Sequence, residues 1–453
     1  MKFGAGKKRR GPRVCVIGID GVPFTFLKKQ FEQGRMNAFR SIVAQGDMKQ
    51  MKTVLPPISS VAWASFQTGK NPGKHGIFGF VDRDPATMEL KITTRLDLRA
   101  RTISEILGDS GKHIVQMNVP CSYPPTPVNG KLISCFLATD INKATYPPEF
   151  ATKLKELGYV IDVDPWKARQ NLDAFLEDLF HALEMRLKTT LYLLKNEPWD
   201  FFISHIMETD RIGHFFWEYL ETADARYTPR ILDFFERVSE FIGAVADRLD
   251  GETHLVVLSD HGFCGLKKEV YVNNALADAG FLKLAGDEPK APKDISPDSR
   301  AYSMIPGRFF VNLKGREKTG TVAPGAEYEG VRADLADFLM SLADPEDGSP
   351  IIRSVYKKEE IYSGSFFGEA ADLIALPHDG YDLKGNLMAP SMFMKGALLG
   401  MHTDWDAALY IRGAKIGADN PHILDVMPSI LSLFGLSTDG LDLDGQSIFQ
   451  DIG

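Results

Sequence analysis

Arg13-Val14-Cys15-Val16-Ile17-Gly18-Ile19-Asp20-Gly21 decides the fold of this chain. The run is short, apolar and rich in β-branched residues, and it stops at an aspartate followed by glycine. An apolar run without polar alternation reads as a strand covered on both faces, as in a parallel sheet flanked by helices. Outward from it the pattern repeats. A helical region reaches about Ala44, Met48 to Val54 read as a second strand, and Ser60 to Thr68 have helical character closed by Gly69, with Ser59 at the helix N-terminus. His113 to Val119, Phe201 to Ile206 and His254 to Ser259 are further strands, and helical periodicity marks Ile103 to Leu107, Leu172 to Leu194 and Ile231 to Leu249. This alternation predicts an α/β fold, a doubly wound, mostly parallel central sheet with helices on both faces.

The segment 265–369 departs from that pattern. It is rich in glycine, proline and charge, with a short candidate strand at Phe309 to Leu313 and a helix around Val331 to Leu342, and it reads as an inserted cap that sets substrate specificity. The catalytic core is then 12–264 and 370–453. It resumes at Asp372 to Pro377, continues through Ala407 to Ile411, and closes with a helix near Val426 to Phe434.

With 453 residues and 44% hydrophobic content the chain can bury a sizeable core. Lysine and arginine total 52 against 60 acidic residues, a net charge of −8, so no basic signature for polymeric nucleic acid exists and a small substrate is expected. Cys15, Cys121, Cys135 and Cys264 are scattered and form no CxxC pair, which excludes a zinc ribbon and a dense disulfide framework. Reduced thiols in a cytoplasm are the expectation. The basic start, with Lys7-Lys8-Arg9-Arg10, reads as a solvated tail and runs into a strand rather than a signal-type apolar region. No stretch approaches the ~20 apolar residues that span a bilayer, so membrane insertion is not expected.

Asp20, Ser59, Asp210, His214, Asp260, His261 and His402 are metal-ligand residue types, and all but His402 follow an apolar run that reads as a strand. In open α/β sheets ligands bind beyond the carboxyl ends of the strands. Asp210 and His214 are one helical turn apart, so both side chains reach one ion. Carboxylate and imidazole together suit zinc, with manganese as the alternative. Taken singly each residue has an ordinary reading: a post-strand aspartate is more often a helix cap, and a lone histidine a satisfied core residue. Their joint placement at strand ends argues for two divalent metal ions beside a serine.

These residues carry a resemblance. Ile17-Gly18-Ile19-Asp20-Gly21, Ser59 with Thr68-Gly69, Pro72 and His75-Gly76-Ile77, Glu208-Thr209-Asp210-Arg211 with His214, Ser259-Asp260-His261-Gly262, Gly400-Met401-His402 and Asp425-Val426-Met427-Pro428 together resemble the alkaline phosphatase superfamily, type I phosphodiesterase/nucleotide pyrophosphatase branch. The resemblance implies that Asp210, His214 and His402 hold one metal, that Asp20, Asp260 and His261 hold the other, and that Ser59 is the nucleophile and a ligand. His402 rests mainly on this resemblance, because a methionine-rich loop and no clear strand precede it. Ser60 is the alternative nucleophile and Ser65 falls inside the helix. Trp63 stands four residues after Ser59, where formylglycine sulfatases need arginine, which disfavours sulfate ester chemistry.

The function implied is a two-metal phosphoric ester hydrolase, a phosphodiesterase or nucleotide pyrophosphatase with a phosphoseryl intermediate on Ser59, acting on a small phosphoric ester, with nucleotide derivatives among the candidates. A phosphomonoesterase, a metal-dependent phosphomutase and a catalytically silent binding protein with this fold are the alternatives. Lys70, Asn71, Lys74 and His75 are candidate phosphate contacts or surface groups. Trp63 reads as core before nucleobase stacking, Phe215-Phe216-Trp217 as packing beneath the site, and His205 and His378 as the remaining histidines nearest it.

Overall fold

β1 (Arg13–Ile19) stands near the middle of an eight-stranded sheet in the computed structural model, which describes residues 11–285 and 292–451. The basic run Lys7 to Arg10 lies outside the described residues. The other strands are β2 (Gly46–Met51), β3 (Ile114–Met117), β4 (Gly130–Ile133), β5 (Thr145–Tyr146), β6 (Phe201–Ile206), β7 (Thr253–Leu258) and β8 (Ala407–Arg412). Their order is β2-β8-β7-β1-β6-β3-β4-β5, and only β8 and β5 run against the rest. β1 pairs in parallel with β6 and β7, Ile19 opposite Ile206 and Gly18 opposite Leu258, so the carboxyl ends of the three strands are level.

The unbroken apolar run of β1 has a direct cause in its packing. Cys15, Ile17 and Ile19 share a core with Phe175 and Leu179 of helix α2 (Leu172–Asn196) and with Phe234 and Val238 of α4 (Thr228–Ala246). Val14 and Val16 point the other way, into a core with Val61 and Trp63 of α1 (Ser59–Thr68) and Ile430 of α5 (Val426–Leu433). Alternate residues on a strand face opposite sides, so covering both faces demands apolar residues throughout. Between α2 and α4 lies α3 (Glu208–Glu221), which starts two residues after β6.

A second, antiparallel sheet is built from Ala301–Ile305, Arg308–Val311, Leu373–Pro377 and Ile352–Lys357, in that spatial order, with the helix Ala326–Met340 against it. Leu373–Pro377, read from sequence as the point where the core resumes, is an inner strand here. A short apolar run states that a strand is buried but not which sheet it joins. The chain returns to the main sheet at β8. Charge ties the two parts together: Arg83 donates to both oxygens of Glu317 at 2.7 and 2.8 Å, and the fully buried Arg308 donates to Asp82 at 2.7 Å.

A different ion pair anchors α3. Arg186 of α2, fully buried, donates to both carboxylate oxygens of Glu208 through Nε at 2.9 and 3.0 Å, while Nη1 reaches the Tyr159 hydroxyl at 2.6 Å. Removing one partner of a buried pair leaves an uncompensated charge. Arg186→Leu should therefore lower unfolding free energy by about 3–5 kcal/mol in urea titrations, and adding Glu208→Leu should restore most of the loss.

The turn after α1 holds a second buried titratable group. His75 accepts the Ile77 N–H at Nδ1 (3.1 Å) and donates from Nε2 to Ser65 Oγ (2.9 Å), and burial pushes its pKa down to about 3. Between pH 6.5 and that value the unfolded chain binds a proton that the native one refuses, so stability falls with pH by about 1.4 kcal/mol per unit from this group. Unfolding curves at pH 7.5 and 5.5 should show His75→Gln losing about 1.4 kcal/mol less than the parent over that interval.

Candidate metal centre

Four local structures deliver the seven residues to one edge of the main sheet. Asp20 leaves β1 with its N–H on Ile206 O (3.1 Å), and Gly21 makes the sharp exit at φ +68, a conformation glycine adopts without cost. Ser59 is the first residue of α1. Asp260 and His261 follow β7 and lead into the strand Gly262–Gly265, which pairs antiparallel with Gly400–Thr403 so that Phe263 lies opposite His402. Asp210 and His214 lie one turn apart on α3, which packs against this ribbon; a Cβ on Gly400 would sit 2.2 Å from Gly213 O.

Two ligand sets result, Asp210 with His214 and His402, and Asp20 with Asp260 and His261, each with its donor atoms within 4.8 Å of one another. In the first, His402 Nε2 is 3.0 Å from His214 Nε2 and 3.2 Å from Asp210 Oδ1. In the second, His261 Nε2 is 3.5 Å from both Asp20 Oδ1 and Asp260 Oδ2, and Ser59 Oγ is 3.2 Å from Asp20 Oδ1 and from His261 Nε2. The sets meet where the His261 and His402 rings stack, centroids 3.6 Å apart.

The histidine tautomers follow from their outer partners. His402 Nδ1 lies 2.8 Å from Pro57 O, His214 Nδ1 3.3 Å from Gly400 O, and His261 Nδ1 3.1 Å from Gly262 O. A carbonyl only accepts, so each Nδ1 donates to its carbonyl and each Nε2 is left turned into its ligand set. Each Nε2 therefore faces the carboxylates of its set, and those of His214 and His402 face each other. Burial tends to raise the Asp210 carboxyl, but His214 and His402 outweigh it and hold it at about 2. Burial likewise acts upward on Asp20, and its bonds to His205 and His261 take it well below the usual carboxylate range. Asp260 goes the opposite way, raised well above that range by burial and by the charge of Asp20, and its Oδ2 is buried without a hydrogen-bond partner. Burial also pushes the His214 imidazole down to about 4. Converging acceptors and an orphaned carboxylate oxygen fit a cation in each set.

The surroundings explain the remaining sequence candidates. His205 Nε2 is 2.7 Å from Asp20 Oδ2, and the Trp63 indole N–H donates to the same oxygen at 3.2 Å, so Trp63 is core and a support for Asp20 at once. Sequence reading had its packing but not this bond. His378 instead closes a strand of the second sheet, its N–H on Ile351 O. Ser60 Oγ is buried with no partner, and Ser65 is engaged by His75. Lys74 pairs with Asp442 and Asp444, and the Asn71 amide binds Asp444, so both serve structure. Phe215, Phe216 and Trp217 are buried residues of α3 itself. Arg211, a motif residue with no role legible from its neighbours in sequence, reaches Asp162 with its guanidinium at 2.8 Å and lies 3.8 Å from Asp210 Oδ2.

A cleft of about 300 Å³ opens from His214 and His402 toward the second sheet. A larger groove of about 800 Å³ between α2 and α4 contains none of the seven residues. Chemistry, not size, therefore locates the site.

A family model described as type I phosphodiesterase / nucleotide pyrophosphatase matches residues 14–403, which include all seven. The chain belongs to that family. This phosphodiesterase-family protein is accordingly a hydrolase acting on phosphoric ester bonds. No curated protein matches it in sequence. Among solved structures it is similar to phosphonoacetate hydrolase from Sinorhizobium meliloti 1021 in complex with phosphonoformate, at 16% identity and a TM-score of 0.64, covering 94% of this chain and 95% of that one. It is also similar to human ectonucleotide pyrophosphatase/phosphodiesterase 5, at 15% identity and a TM-score of 0.57, covering 94% and 95%. At such identity both likenesses speak to the fold, which is that of the alkaline phosphatase superfamily. No helix among the described residues is long and apolar enough to cross a membrane.

The Asp20 support generates a prediction. Trp63→Phe keeps the ring but removes the donor to Asp20 Oδ2, and loss of such an outer partner typically costs about 10–100-fold in metal affinity. Competition with a chelator at fixed pH checks this; an unchanged affinity would show that the indole serves packing alone.

Proposed function

We propose that the protein is a two-metal phosphodiesterase working through a phosphoseryl intermediate on Ser59. The observation that carries this reading is the pair of carboxylate and imidazole ligand sets with Ser59 Oγ 3.2 Å from Asp20 Oδ1 and His261 Nε2 in one of them. Asp210, His214 and His402 would hold one ion, and Asp20, Asp260 and His261, with Ser59, the other. Zinc suits this mixture of carboxylate and imidazole, and manganese is the alternative. Bound divalent ions supply charge that favours the serine alkoxide and offsets the charge growing on the phosphoryl oxygens.

The residues contribute placement. Ser59 begins α1, where the helix dipole favours negative charge on Oγ. His205 and Trp63 hold Asp20, and Arg186 holds the start of α3 through Glu208, so both sets rest on rigid elements. Attack forms the Oγ–P bond while the ester O–P bond opposite it breaks, and the departing oxygen leaves as an alcohol after taking a proton. Water then cleaves the phosphoserine, which restores Ser59 and releases a phosphomonoester. The segment from 265 to about 399 acts as the cap over this centre. The completeness of the set speaks against a silent binding protein.

Ser59→Ala should reduce turnover of bis(4-nitrophenyl) phosphate by at least about a thousandfold while the protein retains about two metal ions per chain. Asp260→Asn should reduce metal content toward one. Undiminished turnover in Ser59→Ala would sink the nucleophile assignment, and faster turnover of an aryl monoester than of the diester would overturn the diester preference.

A further inference from the structure

We infer that the cleft beside His214 and His402 receives the leaving group and selects one that is apolar and carries no negative charge. This rests on the phosphodiesterase reading and deepens it. In an in-line displacement the nucleophile and the departing oxygen lie on opposite sides of phosphorus. Ser59 stands with the Asp20, Asp260 and His261 set, whereas the cleft is walled by two residues of the other set. The departing group is thereby directed into it.

The rest of the wall decides which group fits. Pro57, Ile58, Phe80, Leu376, Leu398 and Met401 make it largely apolar. Three carboxylates, Asp379, Asp382 and Asp404, also line it, against a single ammonium, Lys384. That ammonium is already committed, paired with Asp382 and 3.4 Å from Glu269. Asp404 is satisfied by Arg353, which does not line the cleft. Asp379 is exposed and has no ion-pair partner among the described residues. An anionic leaving group would thus lose water, meet no unpaired ammonium or guanidinium in the wall and face an unpaired carboxylate. A neutral or cationic group meets none of these penalties. At about 300 Å³ the space suits one ring-sized group, at the lower end of small-molecule sites. Cleavage of a pyrophosphate bond, whose leaving group is itself a phosphate, is disfavoured by the same carboxylates.

The test uses full-length, metal-loaded Ser59→Ala protein, which separates binding from turnover. Three methyl aryl phosphates, with 4-cyanophenyl, 3-(trimethylammonio)phenyl and 4-sulfonatophenyl groups, are titrated calorimetrically at fixed ionic strength. The first two should bind at least about tenfold more tightly than the sulfonate, and Asp379→Lys in the same background should shrink that gap below about threefold. Equal or tighter binding of the sulfonate, a gap that Asp379→Lys does not move, or no binding of any of the three would overturn the inference. Turnover of the cyanophenyl ester by the wild-type protein is measured alongside. If the affinity order holds but no turnover occurs, the hydrolase reading fails alone; turnover without the affinity order fails the cleft alone.

Discussion

Because β1, β6 and β7 run parallel and in register, their carboxyl ends form one edge, and the side chains that leave them enter the same small volume. Asp20 exits from β1, Asp260 and His261 from β7, and the helix carrying Asp210 and His214 begins just beyond β6. Burial there makes each carboxylate and each Nε2 lone pair costly to leave uncompensated. The opposed shifts of Asp20 and Asp260 express that cost, since one carboxylate is satisfied by imidazole and indole while the other accepts the Gly21 N–H at Oδ1 and leaves Oδ2 buried without a donor among the described residues. The packing of the whole edge, from the Arg186 to Glu208 pair to the Gly213 and Gly400 contact, holds these groups where they would otherwise separate.

The second sheet gives this edge a direction. Buried arginine pairs fasten it to the hairpin at Val81–Ile92, and its strand Leu373–Pro377 supplies part of the wall opposite His214 and His402. An apolar, acid-rimmed cleft thus opens beside His214 and His402, with Pro57 and Ile58, the two residues before Ser59, also in its wall.

Much of this was legible in the chain because strand ends announce themselves. A run such as Arg13 to Ile19, buried on both faces, must be apolar throughout, and the first polar residue after it marks the edge. Asp20, Asp210 with His214, and Asp260 with His261 were readable in that way, and Ser59 through the helix it opens. His402 was not, because the strand bearing it has only four residues and exists through pairing with Gly262–Gly265, a partner far away in sequence. Trp63 was readable as core, while its bond to Asp20 depends on the angle at which α1 meets β1.

By itself the sequence determined the parallel core, the strand ends and the chemical types gathered there, since local periodicity and burial are written in adjacent residues. Tertiary structure alone decided that Leu373–Pro377 joins the second sheet, that His402 lies against His261, and that Lys384 finds an ion-pair partner among the described residues while Asp379 finds none there. Those outcomes depend on pairing between segments distant in the chain, and no local pattern encodes the partner of a strand or a charge.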